Sequence, residues 1–299
     1  MLSEPVEESP ASRVFARLYS YLPGAPQVDW SRAQIGLWRR FYWHGYVAPA
    51  RGDHAVQLDD LLHVDEQKRK LVDNTQQHLA GLPANNVLLW GARGTGKSTL
   101  IQALMNDFSG TALRLVEVRK EDLAQLHLLV EGLQDQPYRF IVFCDDLSFE
   151  VEDASYKALK SALEGSILQA ADNVVIYATS NRRHLLPESM ADNQQTRVVD
   201  TELHEGEAVE EKISLSDRFG VWLSFYPLRQ DNYLDVVQHW VRALAQRHGL
   251  EVDLDDPALR TQALQWALAR GVRNGRSAQY FARHWVGQLG LARDAQDDP

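Results

Sequence analysis

The residues with the clearest chemical potential form one glycine-rich run. In order, they are Gly91, Ala92, Arg93, Gly94, Thr95, Gly96, Lys97, Ser98 and Thr99. The run satisfies the pattern G-x-x-x-x-G-K-[ST] and lies between an apolar run and a segment with helical periodicity, as this motif requires. Glycines let the backbone approach an anion closely, so that successive N–H groups point at it. The sequence therefore predicts a loop that binds phosphate groups.

The side chains of this loop indicate the ligand. We expect Lys97 to reach the β- and γ-phosphates of a nucleoside triphosphate and the Ser98 hydroxyl to complete the ligand shell of Mg²⁺. The helix that follows adds its positive N-terminal end to the site. ATP and Mg²⁺ are therefore the predicted cofactors, with residues 91–99 around the nucleotide.

Two acids follow a second apolar run, Phe140–Cys144. A strand that ends in carboxylates places them at the carboxyl edge of a sheet, where α/β folds bind their ligands. We predict that Asp145 holds Mg²⁺ through water. Asp146 is the candidate to orient or activate the attacking water. Without the glycine-rich loop upstream, a strand that ends in an acidic turn would be an equally good interpretation.

Elements of alternating type must position these two motifs. Apolar runs predict strands at 87–90, 113–118, 140–144, 174–178 and 221–226, and helical periodicity predicts helices at 65–79, 97–108, 121–133 and 154–170. Strands that alternate with helices form a parallel sheet covered on both faces. The prediction is an α/β P-loop fold with a five-stranded parallel sheet.

The pattern changes after Pro227, where amphipathic segments predict three helices, including 259–269 and 276–289. We predict an N-terminal extension, partly flexible, at 1–57, a nucleotide-binding domain at 58–228 and a helical lid at 229–299. The extension contains an aromatic run, Trp38–Tyr46. This run either packs on the main domain or forms a docking surface for a partner or a neighbouring subunit.

The order of these motifs, followed by Val174–Asn181, resembles the AAA+ superfamily over about residues 58–290. In that family a polar residue at the end of this strand, called sensor 1, helps to position the attacking water. Asn181 occupies that place, and Thr179 is the alternative. The resemblance implies a lid residue, sensor 2, that contacts the γ-phosphate. Arg276 matches it, and Arg273 could serve instead.

The family also carries an arginine finger just before its last strand. Ser214–Gly220 matches that position, with Arg218 as the finger. A guanidinium there would stabilise charge on the transferring phosphoryl group. In the family the finger usually reaches the nucleotide of a neighbouring subunit, which implies a homo-oligomer. For an isolated arginine, an ordinary surface ion pair is the alternative.

Two short sequence segments resemble those of a bacterial group of predicted AAA+ ATPases catalogued as a domain of unknown function. They are Ala178–Pro187 and Leu215–Gly220. One position departs from the wider superfamily, which usually has Glu where this chain has Asp146. Hydrolysis is therefore expected to be slow or to depend on a partner. The family's adenine-flanking linker corresponds to 58–66, which places Leu62, His63 and Val64 near the base.

Composition limits the other possibilities. Hydrophobic residues make up 44% and charged residues 24% of the 299, as in soluble globular proteins, and no run approaches the roughly 18 apolar residues of a membrane span. Cys144 is the only cysteine and the N-terminus is acidic, which favours the cytoplasm. The net charge of −10 argues weakly against non-specific nucleic-acid binding. The acid-rich segment 187–212 is expected to be a solvated loop.

Three functions follow from these features. The first is an oligomerising ATPase that remodels a protein or nucleic-acid partner. The second is a switch or scaffold that binds ATP and hydrolyses it slowly, which Asp146 favours. The third, a small-molecule kinase, is weaker because the chain has no obvious acceptor-binding insertion.

Overall fold

One sheet organises the nucleotide-binding part of the protein. The computed structural model describes residues 28–41, 44–50, 56–149, 153–163, 171–183, 185, 197–199, 202–204 and 215–297. Within them the strands are β1 (Ile35–Phe41), β2 (His44–Ala50), β3 (Val87–Gly91), β4 (Leu113–Glu117), β5 (Arg139–Cys144), β6 (Val174–Ser180), β7 (Arg197–Val199), β8 (Glu202–His204) and β9 (Val221–Phe225). The main sheet has the order β2-β1-β4-β5-β6-β3-β9, and β7 pairs with β8 separately.

Helices cover both faces of this sheet and form the C-terminal lid. They are α1 (Asp65–Leu79), α2 (Lys97–Asp107), α3 (Leu126–Leu133), α4 (Ala154–Leu163), α5 (Gln230–Arg247), α6 (Pro257–Arg270) and α7 (Gly275–Asp297), with short 3₁₀ turns at Leu58–Asp60 and Lys120–Gln125. No helix among the described residues is long and apolar enough to cross a membrane.

The five predicted strands are confirmed as a parallel group. β4, β5, β6, β3 and β9 pair in parallel along the sheet. All seven residues of β6 are buried, because helices cover both faces; such strands have continuous apolar sequences. Helices α1 and α2 pack on one face, through Leu71 and Leu104 among others. Helices α3 and α4 cover the other face, where Leu129 and Leu159 contribute to the core.

An N-terminal hairpin adds two strands that the sequence analysis did not predict. β1 pairs in parallel with β4 and antiparallel with β2. Trp38 in this hairpin is buried, and a Cβ on Gly45 would lie 1.9 Å from its ring. Trp38, the first residue of the aromatic run, therefore packs on the main domain, whereas Tyr42 and Trp43 lie outside the described residues. The sheet thus begins before residue 58, and the division into domains remains a prediction.

One helical segment differs from the prediction: 121–133 is a 3₁₀ turn followed by α3. The described part of the helix predicted at 154–170 is helical, as α4. Residues 164–170, the remainder of the predicted helix at 154–170, lie outside the described part. Of the acid-rich segment 187–212, only β7 and β8 are described.

A buried histidine in α1 makes stability depend on pH. The His78 ring hydrogen-bonds to the Phe140 carbonyl through Nε2, at 3.2 Å. Burial, reinforced by the charge of Arg139, lowers the pKa of His78 from 6.5 to about 4. Its contribution is fully present above pH 6.5 and is lost as the pH falls towards 4, because the unfolded chain binds the proton first. We expect about 2 kcal/mol less unfolding free energy at pH 5 than at pH 7 from this group.

Urea denaturation of the wild type and of His78→Gln at both pH values checks this expectation. The glutamine variant lacks the titrating group, so its loss of stability between pH 7 and pH 5 should be smaller by that amount. Equal losses in the two proteins would contradict the assignment.

Candidate nucleotide-binding site

The glycine-rich loop joins β3 to α2 at the carboxyl edge of the sheet. Gly91, Gly94 and Gly96 all have positive φ, at 133°, 74° and 99°, a region that side chains with a Cβ rarely enter. A Cβ on Gly91 would lie 1.9 Å from the carbonyl oxygen of Phe225 in β9. Position 91 therefore requires glycine, both for its backbone conformation and for the closeness of β9. The loop is open and presents backbone N–H groups at the start of a helix.

Lys97 lies at the centre of this loop. Its side chain is largely buried, and Nζ donates to the carbonyls of Gly91 at 2.8 Å and Ala92 at 2.9 Å and to Oδ1 of Asn181 at 3.0 Å. Burial lowers the pKa of Lys97, while the charges of Asp146 and Asp145 act in the opposite direction. All its partners are neutral oxygens, so charged phosphate oxygens would be stronger acceptors for the same ammonium.

Two oxygen atoms that could serve as ligands to Mg²⁺, one from Ser98 and one from Asp145, lie close together beside the loop. Oγ of Ser98 donates to Oδ1 of Asp145 at 2.6 Å. Mg²⁺ prefers such hard oxygen ligands and takes one or two carboxylates together with phosphate oxygens and waters. Among the described residues no cluster of three or more His, Cys, Asp or Glu forms a self-sufficient metal site. Ser98 and Asp145 therefore suit a cation that arrives with a phosphate ligand.

Thr179 connects the two acids at the end of β5. Its hydroxyl donates to Oδ1 of Asp145 at 2.6 Å and accepts from the backbone N–H of Asp146 at 2.8 Å. Asp146 has a φ of 51°, a left-handed conformation that Asp and Asn adopt more readily than other residues with a Cβ. This backbone offers a physical reason for Asp, rather than the longer Glu, at this position.

Asn181 links the second acid to the lysine. Its Nδ2 donates to Oδ1 of Asp146 while its Oδ1 accepts from Nζ of Lys97. The amide can serve both because it carries a donor and an acceptor. Asn181 thus joins the two motifs that the sequence analysis identified separately.

Replacing Thr179 by valine is expected to weaken Mg²⁺ binding roughly ten- to a hundredfold, as losses of groups that orient a metal ligand do. Valine keeps the shape but leaves the Asp145 carboxylate and the Asp146 N–H without the hydroxyl. The affinity for a fluorescent ATP analogue in EDTA should stay unchanged, whereas its Mg²⁺ dependence shifts.

Two variants control this experiment. Thr179→Ser retains the hydroxyl and should restore the wild-type Mg²⁺ dependence. Ser180→Ala removes the adjacent buried hydroxyl, which donates to the Leu147 carbonyl instead, and should have no effect on it. A valine variant with normal Mg²⁺ dependence would show that Thr179 does not orient Asp145.

A cleft of about 820 Å³ lies between this loop and the lid. The lid contacts the loop directly: Nδ2 of Asn274 donates to the Arg93 carbonyl at 2.8 Å, and the Arg276 N–H donates to the Gly94 carbonyl at 3.1 Å. Arg276 lines the cleft, whereas Arg273 does not; the carbonyl of Arg273 accepts from the N–H of Leu228. The placement therefore favours Arg276 over Arg273 as the lid arginine.

The linker before α1 forms another wall of the cleft. Leu62, His63 and Val64 all line it. Two reciprocal contacts fasten this linker to α5: His63 to Asp235 at 3.0 Å and His239 to Asp60 at 2.9 Å. The predicted base-flanking residues thus face the same cleft as the loop.

Three predicted site residues do not line this cleft: Gly91 and Ala92, whose carbonyls accept from Lys97, and Arg218. Arg218 follows a turn in which its N–H donates to the Leu215 carbonyl, and it is partly exposed. The described residues that line the cleft do not include it. The role of Arg218 at this site therefore remains a prediction.

A comparison with family models identifies the chain. Residues 31–289 match the model of a family described as a protein of unknown function, DUF815. The chain belongs to the DUF815 family. A search of curated proteins gave no match to the sequence.

Solved structures show the fold of this DUF815 chain. Two mutants of RuvB from Thermotoga maritima match it with 18% and 19% identity and TM-scores of 0.53 and 0.52. Each match covers 79% of the DUF815 chain but only 66% and 67% of the RuvB chains. At such identities the likeness shows the fold alone, a P-loop α/β fold that the chain shares with RuvB.

Several cleft residues of the DUF815 chain were not identified from sequence. They are Tyr226, Arg229, Trp240, Tyr280 and Arg283. Two signals could have found some of them. Tyr226 directly follows the carboxyl end of a parallel strand, where ligands bind, and Arg283 lies two helical turns after Arg276 and so on the same face of α7. Trp240 has no comparable signal.

Proposed function

We propose that the protein binds ATP with Mg²⁺ and hydrolyses it to ADP and phosphate, as an AAA+ ATPase that works in an assembly of identical copies. The observation that carries the proposal is the network at the loop. Lys97, Asn181 and Asp146 form one series of hydrogen bonds, Ser98, Asp145 and Thr179 form another, and the Asp146 N–H joins the two by donating to Thr179. A cation, a pair of carboxylates and a polar amide therefore lie together in the cleft, which supports a γ-phosphate among them.

Each residue has one task in this scheme. Lys97 and the loop N–H groups bind the phosphates, and Ser98 and Asp145 are the residues that would hold Mg²⁺. A bound ion would neutralise negative charge on the phosphates. Asp146 orients the attacking water and accepts its proton as the bond between the γ-phosphorus and the bridging oxygen breaks. Asn181 holds the Asp146 carboxylate in place.

Assembly completes the site in this proposal. Arg276 reaches the cleft from the lid of the same chain, whereas Arg218 lies outside it. A second copy would supply Arg218 to the transferring phosphoryl group, where an arginine stabilises developing charge. The work of such an assembly would be the remodelling of a protein or nucleic-acid partner. We place the protein in the cytoplasm, in keeping with its single, buried cysteine.

A second candidate function is a slow ATP-dependent switch or scaffold. The left-handed backbone of Asp146 and its short side chain support it, because a carboxylate one methylene shorter than Glu has less reach towards a water. The two candidates differ in turnover rather than in binding, so kinetics distinguish them.

The test of hydrolysis is ADP release by the wild type and by Asp146→Asn. Asparagine is isosteric and tolerates the left-handed conformation, so ATP binding should be unchanged. Turnover should fall about a hundredfold, within the usual range for a lost general base. A wild type that binds ATP but releases no ADP would support the switch. An asparagine variant as fast as the wild type would remove Asp146 from the mechanism.

A further inference from the structure

Arginine is the only ionised residue type over most of the last two helices of the lid, before α7 ends in Asp294 and Asp297. Residues 257–293 contain six arginines but no lysine, aspartate or glutamate, in a chain whose net charge is −10. Arg270 and Arg273 flank the turn between α6 and α7, and Arg276 and Arg283 follow on one face of α7. We refer to these four residues as the basic lid face.

The positive charges of this face are exposed and uncompensated. All four arginines are exposed, and among the described residues none of them forms an ion pair with a carboxylate. Arg270 lies 3.6 Å above the ring of Trp266, whose indole also stacks on His284. The guanidinium of Arg270 is thus held at the surface by a cation–π contact.

Apolar side chains lie beside these arginines at the same end of the lid. Leu268 is 82% exposed and Val272 46% exposed, one on each side of Arg270 in sequence. Large exposed apolar residues next to unpaired charges are typical of protein interfaces. They would have no complement on a phosphate backbone, so the surface fits an acidic polypeptide better than a nucleic acid.

The chain itself contains a segment of the required charge. Residues 187–212 carry eight carboxylates and only two basic side chains. Six positions after Lys212 comes Arg218, a distance that an extended chain spans within about 20 Å. Anything that binds the acid-rich segment therefore also constrains Arg218.

We propose that the basic lid face of one copy binds the acid-rich segment 187–212 of a second copy and so brings Arg218 of that copy to the edge of the cleft. This inference rests on the proposed function and deepens it by naming the contact that directs assembly. Arg276 and Arg283 line the cleft, so the basic lid face reaches from the outer turn of the lid to the nucleotide.

The charges of the lid and of the acid-rich segment also determine which surfaces of two copies can meet. Two lids that met face to face would oppose arginine with arginine, and like charges across an interface are strongly unfavourable. A lid against an acid-rich segment is favourable at each contact. The lid therefore meets the acid-rich segment rather than a second lid, either head-to-tail in a ring or filament or reciprocally in a two-fold pair.

Sedimentation of the full chain with ATP and Mg²⁺ tests this contact. Reversing the lid charge with Arg270→Glu and Arg273→Glu should raise the concentration needed for assembly roughly tenfold or more, as like-charge contacts do. The matched control is Arg242→Glu with Arg247→Glu, two exposed arginines of α5, and should assemble as the wild type does. Binding of a fluorescent ATP analogue checks that each variant is folded.

A charge swap makes the test specific. Glu207→Arg, Glu210→Arg and Glu211→Arg in the acid-rich segment should impair assembly equally. A mixture of this variant with the lid variant should assemble again, because in an alternating assembly the glutamates introduced at 270 and 273 face the arginines introduced at 207, 210 and 211, while the remaining contacts are those of the wild type.

The possible outcomes are distinct. Unchanged assembly of the lid variant, or no recovery in the mixture, would overturn the inference. A lid variant that assembles normally but no longer binds a DNA or RNA duplex would overturn it in favour of nucleic acid. In either case, ATP binding and ADP release by the wild type would leave the proposed function standing. Their absence would instead overturn the proposed function, whatever the sedimentation showed.

Discussion

Replacing Lys97 by alanine is expected to abolish ATP binding at working concentrations. Lys97 is the buried cation of the loop, and its present acceptors are neutral oxygens of Gly91, Ala92 and Asn181. Bound phosphates would receive at least two charge-assisted hydrogen bonds from it, each contributing about 1.5–3 kcal/mol. Affinity should therefore fall by roughly a hundredfold or more. Titration with a fluorescent ATP analogue measures this loss directly.

The control for this experiment is Lys70→Ala. Lys70 is an exposed lysine of α1, paired with Glu66 at 2.7 Å, and its removal should leave ATP affinity unchanged. Thermal unfolding of both variants shows whether the fold is intact. An alanine variant at position 97 that still bound ATP tightly would exclude the loop as the phosphate site.

Replacing Arg218 by alanine should leave ATP binding intact and reduce turnover by roughly a thousandfold or more, the usual contribution of an arginine finger. Binding is spared because Arg218 does not line the cleft of its own chain. Turnover is lost because the charge on the transferring phosphoryl group loses its external cation. ADP release and analogue binding, measured on the same preparation, separate these two effects.

A mixture of two inactive variants tests whether Arg218 acts between copies. Lys97→Ala cannot bind ATP but carries Arg218, whereas Arg218→Ala binds ATP but lacks the finger. If the finger acts in trans, the mixture should recover part of the wild-type turnover. If it acts within one chain, the mixture stays inactive. Arg32→Ala, at a highly exposed arginine, serves as the neutral control.

Much of this site could be predicted because its motifs are local. The loop from Gly91 to Thr99 needs a strand before it and a helix after it, and both signals lie within a few residues of the motif. The acids Asp145 and Asp146 were likewise placed by one apolar run. Since parallel strands end at a common edge, the two motifs had to meet there.

The parts that sequence did not reveal depend on long-range pairing. The hairpin of β1 and β2 joins the sheet through β4, more than sixty residues away in sequence, and no local pattern specifies that neighbour. Thr179 hydrogen-bonds to both Asp145 and Asp146 only because the backbone of Asp146 is left-handed. Residue types alone do not determine that conformation. Trp240 reaches the cleft only because the lid folds back over the loop.

ATP turnover per subunit, measured over a wide range of protein concentration, tests most directly whether the site is completed between copies. We predict a Mg²⁺-dependent rate per subunit that rises with concentration and then levels off as assembly is completed. A Mg²⁺-dependent rate that is the same at all concentrations would contradict the role of Arg218 in a second copy. If ATP binds but is not hydrolysed at any concentration, the proposed ATPase activity is contradicted and the ATP-dependent switch is the remaining candidate function.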